Sequence, residues 1–174
     1  DEGSIHTSPY GRNWTPRAVS SPLNLHGVDY GNSMFVAVGE DGRITTSPDG
    51  TAWTEQVSGS SEELIDVTCG NSLYTTVGYN GEILTSPDAV NWTVQSSGTS
   101  LDLYAVTTGG SLIVAAGESG TLLTSPDGVT WTARNSDTTE DLYDITYGNN
   151  MFVAVGDYGT VITSNDGINW TSIT

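Results

Sequence analysis

The chain has 174 residues, with 21 acidic side chains against 4 basic ones and a formal net charge of −17. Such a field repels phosphate backbones and anionic lipid surfaces, which argues against nucleic-acid and membrane partners and favours solubility, cation attraction or a basic partner. Cys69 is the one cysteine, so an intramolecular disulfide is excluded, and no stretch is long and apolar enough to cross a membrane as a helix.

Residues 1 to 17 read as the outer half of a unit that the rest of the chain repeats in full. Asp1-Glu2-Gly3 matches the later turn Glu40-Asp41-Gly42, and Ser4 to Thr7 matches the strand that follows it. Residues 17 to 24, RAVSSPLN, connect into the first complete unit. Complete units then run over 25–56, 64–95, 103–134 and 142–174. The last is the clearest template. Leu142 to Tyr147 reads as a first strand, Gly148-Asn149-Asn150 as a hairpin turn, and Met151 to Val155 as a second strand. Gly156-Asp157-Tyr158-Gly159 turns the chain into a third strand, Thr160 to Thr163, and Asn169 to Ile173 forms a fourth. The tryptophans at 14, 53, 92, 131 and 170 are spaced by a constant 39 residues. A strict period of this length signals a repeat architecture.

The tryptophans belong to a recurring octapeptide: SPYGRNWT, SPDGTAWT, SPDAVNWT, SPDGVTWT and SNDGINWT. Pro presets φ, Asp bonds nearby backbone N–H groups and Gly tolerates positive φ, so Ser-Pro-Asp-Gly is a turn. The Trp and Thr that follow suit a strand. A tryptophan on one hairpin has nothing to bury against, so neighbouring repeats must cover it. The pattern S-x-D-G-x-x-W resembles the Asp-box, or BNR, repeat of β-propellers. It is carried by Ser47, Asp49 and Trp53, by Ser86, Asp88 and Trp92, by Ser125, Asp127 and Trp131, and by Ser164, Asp166 and Trp170, with Ala89 replacing Gly in the second of these and Tyr10 replacing Asp in the copy from Ser8.

The resemblance implies an all-β propeller of four-stranded blades, in one domain over residues 1–174, with four complete blades and an N-terminal half blade. It places the boxes on hairpins remote from the functional face, as structural elements. A five-bladed ring is the expected closure, with something filling or capping the open half. A four-bladed ring with a free hairpin, or inner strands supplied from elsewhere, are the alternatives. The absence of an initial Met and of a signal peptide reads as a processed product, and the Thr/Ser/Asn/Gly-rich composition points to an extracellular or cell-surface protein. Asn13, Asn91 and Asn169 lie in Asn-Trp-Thr sequons. They are glycan acceptors in a source that glycosylates, or by-products of the box.

Three groups of residues are candidates for function. Alternation points Val28, Val67, Val106 and Ile145 between blades, and Asp29, Asp66 and Asp144 toward the channel, where carboxylates could hold a cation; the alternative is a solvated polar channel. The loops after the second strands carry Glu40, Asp41, Tyr79, Asn80, Glu118, Asp157 and Tyr158, an acidic face with aromatics suited to a sugar or a partner. His6 and His26 align with packing residues, as do Tyr30, Tyr104, Tyr143 and Tyr147, and Cys69 shares the parity of Val67. Asp boxes also occur in sialidases, whose chemistry needs an arginine cluster and a tyrosine–glutamate pair. Arg12, Arg17, Arg43 and Arg134 fall in unrelated slots, so no such site can be assembled. The photosystem II assembly propellers use a basic patch that this chain lacks. The expectation is therefore a protein with no enzymatic activity, no cofactor and no dedicated metal: a surface or filament-type subunit that self-associates, or takes a protein partner, through its incomplete blade. A lectin-like glycan binder is the alternative.

Overall fold

A computed structural model describes residues 3–173. The predicted turn at Asp1-Glu2 and the terminal Thr174 lie outside the described residues. The chain forms five antiparallel sheets, one of two strands and four of four strands. The two-stranded sheet pairs β1 (Ile5–Thr7) with β2 (Thr15–Arg17). Blade 1 comprises β3 (Leu25–Gly31), β4 (Met34–Gly39), β5 (Ile44–Ser47) and β6 (Thr54–Gln56). Blade 2 comprises β7 (Leu64–Gly70), β8 (Leu73–Gly78), β9 (Ile83–Ser86) and β10 (Thr93–Gln95). Blade 3 comprises β11 (Leu103–Gly109), β12 (Leu112–Gly117), β13 (Leu122–Ser125) and β14 (Thr132–Arg134). Blade 4 comprises β15 (Leu142–Gly148), β16 (Met151–Gly156), β17 (Val161–Ser164) and β18 (Thr171–Ser172). This is a β-propeller of four complete blades and a half blade, and β3, β7, β11 and β15 pack side by side in chain order.

The core is not one mass but three apolar layers, one between each pair of complete blades. Met34, Val36, Val38 and Ile44 of blade 1 meet Leu64, Val67, Tyr74 and Leu84 of blade 2. Leu73, Val77 and Ile83 of blade 2 meet Leu103, Val106, Ile113 and Leu123 of blade 3. Leu112, Val114, Ala116 and Leu122 of blade 3 meet Leu142, Ile145, Phe152, Ala154, Ile162 and Trp170 of blade 4. A blade in the middle is thus covered on both faces, and its second strand, LIVAAG in blade 3, is buried from its second residue on.

The recurring octapeptide turns are closed by their own side chains. Ser47 Oγ accepts from Gly50 N at 2.9 Å, Asp49 Oδ1 accepts from Thr51 N at 2.8 Å, and Trp53 Nε1 donates to the Gly50 carbonyl at 3.1 Å. The same pattern recurs around Ser125, Asp127 and Trp131 and around Ser164, Asp166 and Trp170. Each tryptophan closes the turn and the strand starts at the following threonine; in the last repeat this is Thr171, two residues after the expected start at Asn169. In the second box Ala89 adopts φ 62°, where the other complete boxes have glycine at 70–74°. In the copy from Ser8 the aspartate is missing, and the buried Ser8 hydroxyl has no partner.

Trp170 is buried against Phe152, with ring centroids 6.3 Å apart, whereas Trp14 is 61% exposed. Trp170→Ala is expected to cost about 3 kcal/mol through cavity formation, and Trp14→Ala less than about 0.5 kcal/mol. Denaturant unfolding of both variants checks the contrast. Equal costs would mean that the tryptophan acts through the local turn rather than through inter-blade burial.

Candidate functional site

The channel strands share one irregularity. In every complete blade the first strand shifts register against the second between its first and third residues: Leu25/Gly27, Leu64/Asp66, Leu103/Ala105 and Leu142/Asp144. Such a bulge leaves the extra residue unpaired and re-aims its side chain. The extra residues are His26, Ile65, Tyr104 and Tyr143. The expectation that His26 and Tyr143 pack inside is therefore corrected. His26 is exposed and pairs with Glu63 at 2.9 Å, and Tyr143 is exposed and donates to Asp157 Oδ2 at 3.1 Å. Tyr104 and Tyr147 are half-buried, His6 is exposed, and Tyr30 is exposed for a reason given below. Cys69 is half-buried against Gly31 as expected, and burial pushes its thiol up.

The proposed channel carboxylates have structural partners. Asp29 Oδ1 and Oδ2 accept from Tyr30 N at 2.8 Å and Cys69 N at 2.6 Å. Asp66 Oδ1 and Oδ2 accept from Val67 N at 2.8 Å and Val106 N at 2.9 Å. Each carboxylate thus ties its own first strand to that of the next blade, with one N–H accepted by each oxygen. Asp144 accepts from Ile145 N at 2.8 Å and, among the described residues, makes no bond to another blade. The three do share the axis: burial pushes the Asp66 carboxyl up, and the charges of Asp144 and Asp29 add to the rise. Among the described residues no three acidic, histidine or cysteine groups converge as a metal site.

On the loop face, Glu40–Gly42, Tyr79–Gly81, Glu118–Gly120 and Asp157–Gly159 form tight 3₁₀ turns. The middle residues Asp41, Asn80, Ser119 and Tyr158 sit at φ 53–56°. Much of the acidity here is structural. Glu40 accepts from Asn24 N at 3.0 Å and from Asn24 Nδ2 at 2.7 Å, and these bonds hold its carboxyl below the usual range. Glu118 accepts from Asp102 N at 3.2 Å. Asp102 and Asp141 accept from the turn amides of Asn80 and Ser119 across the blade boundary, at 2.9 and 2.8 Å. Asn80 also donates to Glu62 Oε2 at 2.7 Å. Tyr158 is the exception, 94% exposed. Aspartate, asparagine and serine tolerate the left-handed conformation better than a tyrosine does. Tyr104 and Tyr143 lie nearby as a tilted pair, centroids 5.5 Å apart.

The sequon side chains have structural work as well: Asn91 and Asn169 each donate to Oδ2 of their box aspartate, at 2.8 Å, and Asn13 is exposed. Three of the four arginines are placed as braces, and Arg12 is exposed. Arg17 and Arg134 donate to Thr7 and Thr124, in the slot from which Gln56 and Gln95 donate to Thr46 and Thr85. Arg43 is buried and pairs with Glu55 at 3.1 Å.

One group of residues was not singled out from the sequence: the apolar faces at the two ends of the blade series. Val67, Val106 and Ile145 are 4–5% exposed, as their parity predicts, but Val28 in the same slot is 65% exposed. Tyr30 and Phe35 share that uncovered face. At the other end, Val153, Val155 and Val161 occupy the slots of the buried Val36, Val38 and Ile44 and of Val114, Ala116 and Leu122, and Met151 that of the half-buried Met34 and Leu112, yet Met151 and Val155 are exposed and Val153 and Val161 half-buried. The half blade itself is the signal for the first face: without inner strands it cannot cover the blade that follows it.

No family model and no curated protein matches the chain. Solved structures do. YCF48 bound to D1 peptide superposes with a TM-score of 0.68 at 18% identity, over 92% of this chain and 56% of that one. YCF48 from Cyanidioschyzon merolae gives 0.69 at 16% identity, over 89% and 57%. The computationally designed Ika4 protein gives 0.69 at 13% identity, over 90% and 96%. The chain therefore spans a little over half the length of the YCF48 chains. These likenesses show the propeller fold.

The box carboxyls set an acid limit on the fold. Hydrogen bonds from the turn amides and neighbouring side chains hold Asp49, Asp88, Asp127 and Asp166 well below the usual carboxylate range. An unfolded aspartate titrates near about 3.9. The stabilisation from these groups is thus complete above that value and is lost as pH falls toward their folded values. Asp66 is shifted the other way and opposes the loss. Urea midpoints are expected to drop between about pH 5 and pH 2.5, less so in Asp127→Asn and more so in Asp66→Asn. A common slope for all three proteins would reject this assignment.

Proposed function

We propose that the protein is a non-catalytic extracellular assembly module, joined to its neighbours through the incomplete blade and the uncovered faces beside it. The observation that carries this reading is the exposure of apolar residues in slots that are buried at every internal blade boundary. Contiguous exposed apolar surface of this kind marks an interaction site. An acidic surface keeps such a subunit soluble until the contact forms. The reading without catalysis rests on the placement of the chemistry-bearing residues. Arg17, Arg43 and Arg134 brace strands, His26 is paired with Glu63, and the channel carboxylates accept backbone N–H groups. The fold is also that of YCF48, solved in complex with D1 peptide, which supports a partner-binding role by analogy alone. An extracellular location is supported by the Lys-free, Ser/Thr/Asn-rich composition.

Light scattering over a range of protein concentrations is expected to show masses rising above the monomer, with electron microscopy showing regular assemblies. Val155→Asp, on the uncovered face of blade 4, is expected to reduce them. A monomer at every concentration would overturn self-assembly.

A second reading, glycan binding on the loop face, is favoured by Tyr158, an exposed tyrosine held at φ 53° without packing. Binding to a glycan array that disappears in Tyr158→Ala would support it, and an array with no binding would remove it.

A further inference from the structure

The three internal blade boundaries are built from the same slots, and one of them is filled differently. Val36, Thr75, Val114 and Val153 lie one period apart on the second strands. Val36 and Val114 are fully buried against the following blade. Thr75 shares the parity of Leu73 and Val77, which pack against blade 3. It is fully buried too, and its hydroxyl has no partner among the described residues. From the other side, Thr108 of blade 3 lies against Gly70 of blade 2, and its Oγ1 is likewise buried without a partner. The boundaries between blades 1 and 2 and between blades 3 and 4 hold no such pair among the described residues.

The aromatic slot differs at the same place. Phe35, Tyr74, Ile113 and Phe152 are also one period apart. Tyr74 packs against blade 1 and donates its hydroxyl to the Gly31 carbonyl. Phe152 packs against blade 3, with Tyr147 and Trp170 beside it. Ile113, which meets blade 2, carries no ring, and aromatic rings bury the largest areas in a core. Two carboxylates reach across this boundary: Asp66 accepts from Val106 N and Asp102 from Asn80 N, both at 2.9 Å. Burial pushes the Asp66 carboxyl up, so the first of these ties works against its own desolvation.

We propose that the boundary between blades 2 and 3 is a built-in opening point, at which the array parts into a unit of blades 1 and 2 and a unit of blades 3 and 4 while every blade keeps its own sheet. On parting, both threonine hydroxyls reach water, which relieves the cost of holding them unpaired. Each unit retains an apolar layer of its own, so the opening is sub-global. It presents Val77, Ile83, Leu103 and Val106 to solvent, on two apolar faces that the closed array hides. Both faces lie inside the chain, so the opening is independent of what stands beside blades 1 and 4.

Two amides report the boundaries directly. Val106 N–H is held by Asp66 of blade 2 and Cys69 N–H by Asp29 of blade 1, so each is released when its own boundary parts. Native-state hydrogen exchange of the intact protein, followed by NMR and corrected for intrinsic rates, is expected to show Val106 exchanging at least about ten-fold faster than Cys69. The urea dependence of Val106 exchange is expected to be the shallower, because less surface is exposed. Thr75→Val installs the residue that holds this slot in the other three complete blades, which keeps the fold. It is expected to slow Val106 exchange by about ten-fold, the effect of removing one unsatisfied buried hydroxyl. Thr75→Ser retains the hydroxyl and is expected to leave Val106 at least as fast as before. Val106 as protected as Cys69 overturns the proposal, as does an unchanged Val106 rate in Thr75→Val. Equal slowing by Thr75→Ser and Thr75→Val also overturns it, because the hydroxyl would then not be the cause.

Discussion

Each blade of this protein depends on the one beside it. A four-stranded sheet of about thirty residues buries little on its own, and isolated hairpins are marginal in water. The stabilising contact is the apolar layer between neighbouring blades, formed three times by the same slots. Stability in such an array is close to a sum over nearest neighbours. It follows that the ends of the array differ from its middle. Val28 and Val155 are exposed for the same reason that Val67 and Val38 are buried: a neighbour is or is not there.

The polar structure obeys the same logic. Asp29 and Asp66 each reach an amide of the following first strand, 40 residues on, and Asp102 and Asp141 cap turn amides of the preceding blade. These carboxylates are rivets between blades, which is why an acidic channel need not be a cation site. A buried carboxylate that accepts backbone N–H groups is satisfied without a metal. The acidity that remains on the surface sets the terms for any partner, which has to approach a strongly negative molecule through a neutral or basic segment. The uncovered faces and Tyr158 are where large side chains stay exposed.

The repeat period, the box turns and the alternation of the strands were legible in the residues themselves, because turn chemistry and side-chain parity act over a few positions. They placed four blades and a half, and put Val67, Val106 and Ile145 between blades. Residue parity could not reveal the bulge that moves His26 and Tyr143 to the surface, since an inserted residue shifts pairing without changing composition. Nor could it tell that Asp29 and Asp66 each turn one oxygen to a strand 40 residues away. Those bonds, and the exposure of Val28, Tyr30 and Val155, were decided by the tertiary structure alone, because they depend on which blade stands next to which. Local sequence determines what a blade is; whether its faces are covered is a property of its neighbours.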